Sequence, residues 1–156
     1  MAEVCGVFSQ AGMKNVSSVL ATGNIVFNSE KNSVELKVVL EKAMSEHFIY
    51  DAYLFIKTEE EVKEIFDKNP FETSTDHHIY AFVGIEEVEK TLLEEFQKAE
   101  KSEDEKGEIV RKTFYWQVKK GNTLNSNFGK ILGKKSLKDK MTSRNINTFE
   151  KILKKF

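Results

Sequence analysis

Apolar residues recur along the chain with two spacings that alternate from one segment to the next. An apolar residue at every third or fourth position predicts a helix, and alternation of apolar with polar residues predicts a strand. The predicted helices cover residues 2–12, 33–48, 58–67, 86–100 and 124–132 and a last segment from residue 146 onward. The predicted strands are a hairpin at 15–28, single strands at 51–57 and 77–84, and two short strands within 107–120.

Helices that alternate with hairpin-joined strands indicate an α+β fold with antiparallel sheets. A polar stretch that contains the only proline lies at residues 69–76 and predicts a boundary there. The boundary divides the chain into two halves, residues 1–72 and residues 73–156. Two helix starts also carry a recognisable capping box, Asn32 with Glu35 and Thr58 with Glu61.

Charge is distributed unevenly along a chain whose net charge is close to zero. Residues 117–156 hold eleven basic residues but only two acidic ones, so this tail carries +9 while the rest of the chain carries −10. Such asymmetry favours an anionic partner for the tail. A tail that packs near the acidic helices of the first part, with its charges solvated, would also explain it.

Composition argues against several other classes of protein. The single cysteine, Cys5, excludes an internal disulfide bond and a cysteine-rich metal site. His77 and His78 are adjacent and would point to opposite faces of a strand, so no metal site is expected. No motif predicts a cofactor or a catalytic residue. Without an apolar run long enough to span a membrane or a secretory signal, the expected location is the cytoplasm, with no membrane partner.

The segment TSRNINT, residues 142–148, is a candidate binding site because it precedes the last predicted helix. Free N–H groups at a helix start bind phosphate or carboxylate. Arg144 would bind the anion through two parallel N–H···O hydrogen bonds, and Asn145 would provide a further donor. Three lysines would lie nearby: Lys130, Lys134 and Lys140. Alternatively, Ser143 or Asn145 only caps the helix while Arg144 pairs with an acidic side chain.

The basic tail also offers charges and aromatic rings for nucleic acid. The aromatic residues are Phe114, Tyr115, Trp116 and Phe128. Strand alternation, however, predicts that Phe114 and Trp116 point into the core. The lysines are also spread around their helices and do not form one stripe.

Three motifs occur in a characteristic order. ATGNIVFNS (21–29) follows a short helix, and DKNPF (67–71) follows a strand and a capped helix. The tail then carries FYWQVKKG (114–121), Asn125 with Ser126, and TSRNINTFEKIL (142–153). Together these motifs resemble the bacterial family called domain of unknown function 1697, over nearly the whole chain. The resemblance implies two ferredoxin-like α+β halves and no established biochemical function.

The chain departs from the family pattern in three places. Residues 124–128 keep Ser126 but lack the neighbouring Arg and Lys of the family, and Ile146 stands where the family usually has Trp. Family members also begin with a strand and a glycine-rich segment, and this chain starts after both. The resemblance therefore predicts a first half without its opening strand, as in a truncated product or a mis-set start.

Without that strand, residues 51–57 would expose an edge that carries the apolar Tyr53 and Phe55. An exposed strand edge invites pairing with another chain, which would give a homodimer. A folded monomer that buries strand 51–57 without any upstream segment would contradict the expected truncation.

The sequence therefore favours non-catalytic binding of a small phosphorylated or otherwise anionic ligand. Ser126, Arg144 and Asn145 would contact the anion, and Asn147 would orient the loop. One alternative is a nucleic-acid-binding module that uses the basic tail, for which binding would fall steeply with salt. The other is an enzyme whose site needs the absent N-terminal segment, so that restoring the segment would restore turnover.

Overall fold

The structure is a computed structural model that describes all residues, Met1–Phe156. The chain forms two compact units, the first made of Met1–Glu61 with Lys151–Phe156 and the second of Val62–Glu150. The boundary predicted after residue 72 lies inside the second unit. Helices and two antiparallel sheets together confirm the predicted α+β fold.

The first unit is built on a hairpin and two helices. In chain order these are α1 (Ala2–Gln10), β1 (Lys14–Val19), β2 (Asn24–Asn28) and α2 (Ser33–Phe48), as the hydrophobic pattern predicts. β1 and β2 pair antiparallel in a two-stranded sheet. The buried core of this unit consists of Val7, Phe8, Met13, Leu36, Leu40, Met44 and Ala52.

Both predicted residue pairs cap their helices, and Thr58 with Glu61 forms the full capping box. At the start of α2, the Glu35 N–H donates to Asn32 Oδ1 at 2.9 Å and Asn32 Nδ2 donates to Glu35 Oε1 at 3.0 Å. At the start of α3 (Glu59–Asp67), the Glu61 N–H donates to Thr58 Oγ1 at 3.2 Å and the backbone N–H of Thr58 donates to Glu61 Oε1 at 3.0 Å. Each cap satisfies helix N–H groups that have no partner inside the helix, which stabilises the helix by about 1 kcal/mol.

Residues 51–57 do not form the predicted strand. None of their backbone groups bonds to another backbone group, and side chains of α2 are their partners instead. The Ala52 N–H donates to Ser45 Oγ at 3.0 Å, and the Leu54 N–H donates to Glu41 Oε2 at 2.7 Å. The prediction is wrong because a strand needs a neighbouring ladder, and the sheet of the first unit contains only β1 and β2.

The second unit has the ferredoxin-like order of elements, βαββαβ. The elements are β3 (His77–Gly84), α4 (Val88–Lys98), β4 (Lys106–Val110), β5 (Thr113–Lys119), α5 (Asn127–Leu132), α6 (Lys135–Lys138) and β6 (Met141–Asn145). The sheet has the order β4-β5-β3-β6, and all neighbouring strands are antiparallel. β3 therefore lies inside the sheet and β6 lies on one edge.

β6 was not predicted from the sequence. Most of TSRNINT lies in this strand, and only the last three residues of the motif belong to α7 (Ile146–Leu153). The helix predicted from residue 146 onward is confirmed, and the four residues of the motif before it form a strand that was not expected. Met141 is the only apolar residue of β6, so the strand has no alternating pattern to reveal it.

Aromatic side chains fill the core between the sheet and its helices. Phe114 and Trp116 are 0 % and 1 % exposed, which confirms their predicted place in the core. Phe128 of α5 is also fully buried, and its ring centroid lies 5.0 Å from that of Trp116 and 5.3 Å from that of Phe96. Edge-to-face contacts of this kind stabilise a core beyond the area that the rings bury.

Tyr115 is buried on the opposite face of β5. Its hydroxyl donates to the carbonyl of Ile65 in α3 at 2.7 Å. Burial, together with the negative charge of Glu64, raises the pKa of Tyr115 to about 12. Both faces of β5 are therefore covered.

No helix of the structure has the length and apolar character that crossing a membrane requires.

Candidate functional site

A hydrogen-bonded pair of side chains joins the start of β3 to the end of β6. Asn145 is opposite Tyr80 in the register of the two strands, and its side chain reaches His78 on the same face. The Asn147 N–H donates to Asn145 Oδ1 at 3.0 Å, so the NH2 group of Asn145 faces Nδ1 of His78 at 3.1 Å. Because an NH2 group only donates, Nδ1 accepts and the ring proton lies on Nε2 of His78.

Asn145 thus has two roles. It accepts a backbone hydrogen bond at the start of α7, as the capping interpretation predicts, and it fixes the tautomer of His78. Asn147 contributes its backbone N–H to this arrangement, and its side chain is exposed. Nε2 of His78 has no hydrogen-bond partner in the protein.

Tyr80 continues the line of polar groups from His78. The two rings lie on one face of β3 with centroids 5.8 Å apart. The Tyr80 hydroxyl lies 3.2 Å from Oγ1 of Thr123. Ser126 donates to the Thr123 carbonyl at 3.3 Å and accepts from the Gly129 N–H at 3.0 Å, so it caps α5.

We call this set of partly buried side chains the polar row; it consists of His78, Tyr80, Thr123, Ser126 and Asn145. Ser126 and Asn145, two of the residues that the sequence predicts as ligand contacts, lie at the two ends of this series of contacts. Its other members come from β3 and from the turn before α5.

Arg144 lies outside the polar row. It is opposite Ala81 in the register, whereas Asn145 is opposite Tyr80, so the two side chains leave β6 on opposite faces of the sheet. Nη1 of Arg144 donates to Thr142 Oγ1 at 2.6 Å and to the carbonyl of Ser143 at 2.8 Å. Burial lowers the pKa of the Arg144 guanidinium from its usual value.

Burial and the charge of Lys120 both act on His78 of the polar row. Burial lowers the pKa of His78, and the positive charge of Lys120 acts in the same direction. The imidazole is therefore neutral at pH 7 and presents one N–H donor. An anion placed beside it would be attracted by the same lysine that disfavours a second proton on the ring.

The predicted lysines near TSRNINT do not form a concentrated positive site. Lys134 and Lys140 line a cleft of about 510 Å³. Four glutamates from α4 and the turn before it line the same cleft: Glu86, Glu87, Glu94 and Glu95. Lys90, also in this cleft, pairs with Glu87 at 3.1 Å. Opposite charges in similar number leave this cleft without a strong preference for anions.

A second polar cluster lies on the other side of β3. Ser74 Oγ is 3.2 Å from Nδ1 of His77, and Nε2 of His77 is 2.9 Å from Oδ2 of Asp104. Ser74 Oγ also accepts backbone N–H bonds from Asp76 and His77, at 3.3 and 3.2 Å. These bonds engage the oxygen in a turn, so the cluster ties the segment before β3 to the loop that holds Asp104.

Asp104→Asn is expected to remove stability in a pH-dependent way. Hydrogen bonds from His77 and then Ser102 hold the pKa of Asp104 below its usual value. The carboxylate therefore stabilises the fold fully above the ordinary Asp pKa of about 3.9, and this contribution is lost as pH falls through the lowered pKa. Melting temperatures of the wild type and the variant, measured from neutral to acid pH, should converge at the acid end.

Glu103→Gln is the matched control for this experiment. Glu103 is the exposed neighbour of Asp104 and has no hydrogen-bond partner in the protein. Its replacement should shift the melting temperature little at any pH. A difference between wild type and Asp104→Asn that stays constant down to the acid end would contradict the proposed linkage.

Sequence analysis missed His78 and Tyr80 as members of the site. The sequence did indicate that His78 and Tyr80 lie on the same face of the sheet, because residues two positions apart on a strand share a face. The partners of these residues were not predictable, since 67 positions separate His78 from Asn145 and 43 separate Tyr80 from Thr123.

A family model described as "Protein of unknown function (DUF1697)" matches residues 1–115. The chain belongs to this family. The match includes β3, with His78 and Tyr80, but ends before Thr123, Ser126 and Asn145. A search of curated proteins finds no match.

The fold of this DUF1697 chain is also found in a solved structure. A conserved bacterial protein from Streptococcus pneumoniae, SP0830, superimposes with a TM-score of 0.78 at 19 % sequence identity. The alignment covers 99 % of this chain and 87 % of that chain. At this level of identity the likeness establishes the fold alone.

Proposed function

We propose that this DUF1697 protein binds a small phosphorylated or otherwise anionic ligand at the polar row, without catalysing a reaction. The observation that carries the proposal is the Nε2–H group of His78, a donor that has no partner in the protein and lies near the charge of Lys120. The partial burial of the row strengthens a hydrogen bond from this donor to an anion.

The other members of the row fit the same ligand class. Tyr80 and Thr123 carry hydroxyl groups that already lie within 3.2 Å of each other, so one of their protons can turn toward an acceptor. No carboxylate of the chain hydrogen-bonds to the row. A phosphate group, with several acceptor oxygens, can use more than one of these donors.

The row supports binding better than catalysis. Ser126, its strongest nucleophile by residue type, donates to a carbonyl and accepts a helix N–H, and no titratable side chain bonds to it. A serine nucleophile needs an adjacent base. His78 bonds to Asn145 instead.

A thermal-shift screen with inorganic phosphate, sugar phosphates and nucleoside monophosphates tests the proposal. A ligand at 100 times its dissociation constant should stabilise the folded state by about 2.7 kcal/mol. The shift should disappear in His78→Phe, which keeps the ring volume, and should persist in Arg144→Ala because Arg144 lies on the other face of the sheet. Loss of the shift in Arg144→Ala alone would move the anion site to that face.

Binding at the row is also expected to raise the pKa of His78. The free protein holds this pKa below its usual value through burial and Lys120, and a bound anion would favour the protonated ring. An NMR titration of the His78 ring protons, with and without the best ligand from the screen, measures the change. Lys120→Gln should weaken binding and raise the pKa in the free protein. A His78 pKa that the ligand leaves unchanged would contradict binding beside this ring.

Short oligonucleotides in the same screen address the alternative function. If the oligonucleotides bind, their affinity should be measured at several salt concentrations. A steep fall in affinity with salt, which indicates several phosphate contacts, would identify the basic tail as the binding surface. A single small ligand at the row would show a much weaker dependence on salt.

A further inference from the structure

Residues 51–57 have one occupied edge and one free edge. The N–H of Leu54 donates to Glu41, and its carbonyl accepts from Lys37. The N–H of Ala52 also bonds to a side chain of α2. In an extended chain, successive residues direct their backbone groups to opposite edges, so the groups of the odd-numbered residues face away from these partners. The backbone groups of Tyr53 and Phe55 have no hydrogen-bond partner in the protein.

Core contacts at every second position indicate a strand-like course for this segment. Ala52, Leu54 and Ile56, at every second position, pack against the core of the first unit. Of the residues between them, Tyr53 is 49 % exposed, while Phe55 is partly buried with the Lys37 ammonium 4.8 Å from its ring centroid. The free edge is therefore held in place by packing and needs little further ordering before it pairs with another strand.

The sequence of the segment, DAYLFIK, is complementary to itself in the antiparallel sense. When two copies lie antiparallel with Leu54 opposite Leu54, Asp51 of each copy is opposite Lys57 of the other. Tyr53 is then opposite Phe55, a favourable aromatic pair across strands. The two pairs of opposite charges favour this register over registers in which one strand is shifted along the other.

The hydrogen-bonding pattern agrees with the same register. In an antiparallel pair, residues opposite each other alternate between hydrogen-bonded and non-hydrogen-bonded positions. With Leu54 at the centre, the hydrogen-bonded pairs are formed by the odd-numbered residues, which are those on the free edge. The even-numbered residues keep their bonds to α2.

We propose that two copies of this chain form a symmetric dimer by pairing residues 51–57 antiparallel, with Leu54 on the twofold axis. Such a contact uses the same patch on both copies, as twofold symmetry requires. Lys57 is 3.7 Å from Glu61 within its own chain. Both side chains are more than one-third exposed, so this ion pair is weak and leaves Lys57 able to face Asp51 of the second copy.

Charge reversal tests both the dimer and its register. Sedimentation equilibrium should show a dimer for the wild type, and Asp51→Lys or Lys57→Asp should each weaken dimerisation by about tenfold or more because like charges then meet at both ends. The double variant Asp51→Lys with Lys57→Asp should regain the wild-type affinity. An equimolar mixture of the two single variants should form a heterodimer more readily than either variant pairs with itself.

Several results would overturn the proposal. A wild-type chain that stays monomeric at every concentration would exclude the dimer and leave the free edge to a strand of another protein. Single variants that dimerise as well as the wild type, or a mixture without heterodimers, would exclude this register. If a single reversal disturbs the fold, as judged by its melting curve, the double variant still decides: it must dimerise as the wild type does.

Discussion

Replacement of Phe128 by alanine is expected to lower the free energy of unfolding of the second unit by about 3–5 kcal/mol. Phe128 is completely buried, and its ring meets those of Phe82, Phe96, Phe114 and Trp116 at centroid distances of 6.2, 5.3, 5.7 and 5.0 Å. Truncation removes all four ring contacts and leaves a cavity that the surrounding rings cannot all move to fill. The loss is large compared with the stability of a small domain.

Denaturant unfolding, followed by the fluorescence of Trp116, measures this loss because Trp116 is the only tryptophan of the chain and lies in the same cluster. Leu124→Ala is the control. Leu124 is 81 % exposed, so its truncation should change the free energy of unfolding by less than about 0.5 kcal/mol. A loss at Phe128 no larger than that at Leu124 would mean that the cluster contributes far less than its burial indicates.

Gly129→Ala is expected to disrupt the turn that carries part of the polar row, at a cost of about 1–3 kcal/mol. A Cβ atom at this position would lie 1.8 Å from the carbonyl oxygen of Thr123 and 2.9 Å from Oγ of Ser126. The oxygen belongs to the backbone, so the turn itself must move. Thr123 would then move away from Tyr80, and ligand affinity should fall together with stability.

Gly133→Ala is the matched control, since it makes the same substitution at the end of the same helix. Its Cβ would find only the Lys130 carbonyl, at an ordinary distance of 3.6 Å, and its backbone is in the right-handed helical region. Alanine should be neutral or stabilise the fold slightly there. Melting temperature and ligand titration on both variants provide the test; equal behaviour of the two would refute the steric argument.

The parts of the fold that depend on neighbouring residues were predictable from the sequence. The two helix caps, the β1–β2 hairpin and β3 follow from side chains within a few positions of each other. β6 is different, because its polar sequence becomes a strand only when the edge of β3 is available. Residues 51–57 show the reverse case: they have a strand-like sequence, but no strand of the first unit pairs with them.

The same distinction between local and long-range contacts applies to the candidate site. The capping role of Asn145 could be predicted from its place before the last helix, but its contact with His78 depends on pairing between distant strands. Arg144 is adjacent to Asn145 in the sequence, and the sequence therefore predicts both residues in one binding site. A strand directs adjacent side chains to opposite faces, and a helix start would not have done so. A different local structure is therefore enough to separate two residues that the sequence groups together.

The position of β3 in the sheet has a consequence for the order in which the protein is made. β3 needs β5 on one side and β6 on the other, and β6 is the last strand to leave the ribosome. At about 5–20 residues per second, translation takes several seconds to proceed from the end of β3 to the end of β6. Throughout that interval the edge of β3 that β6 will cover is unpaired, so the sheet closes and Asn145 reaches His78 only after β6 has been made.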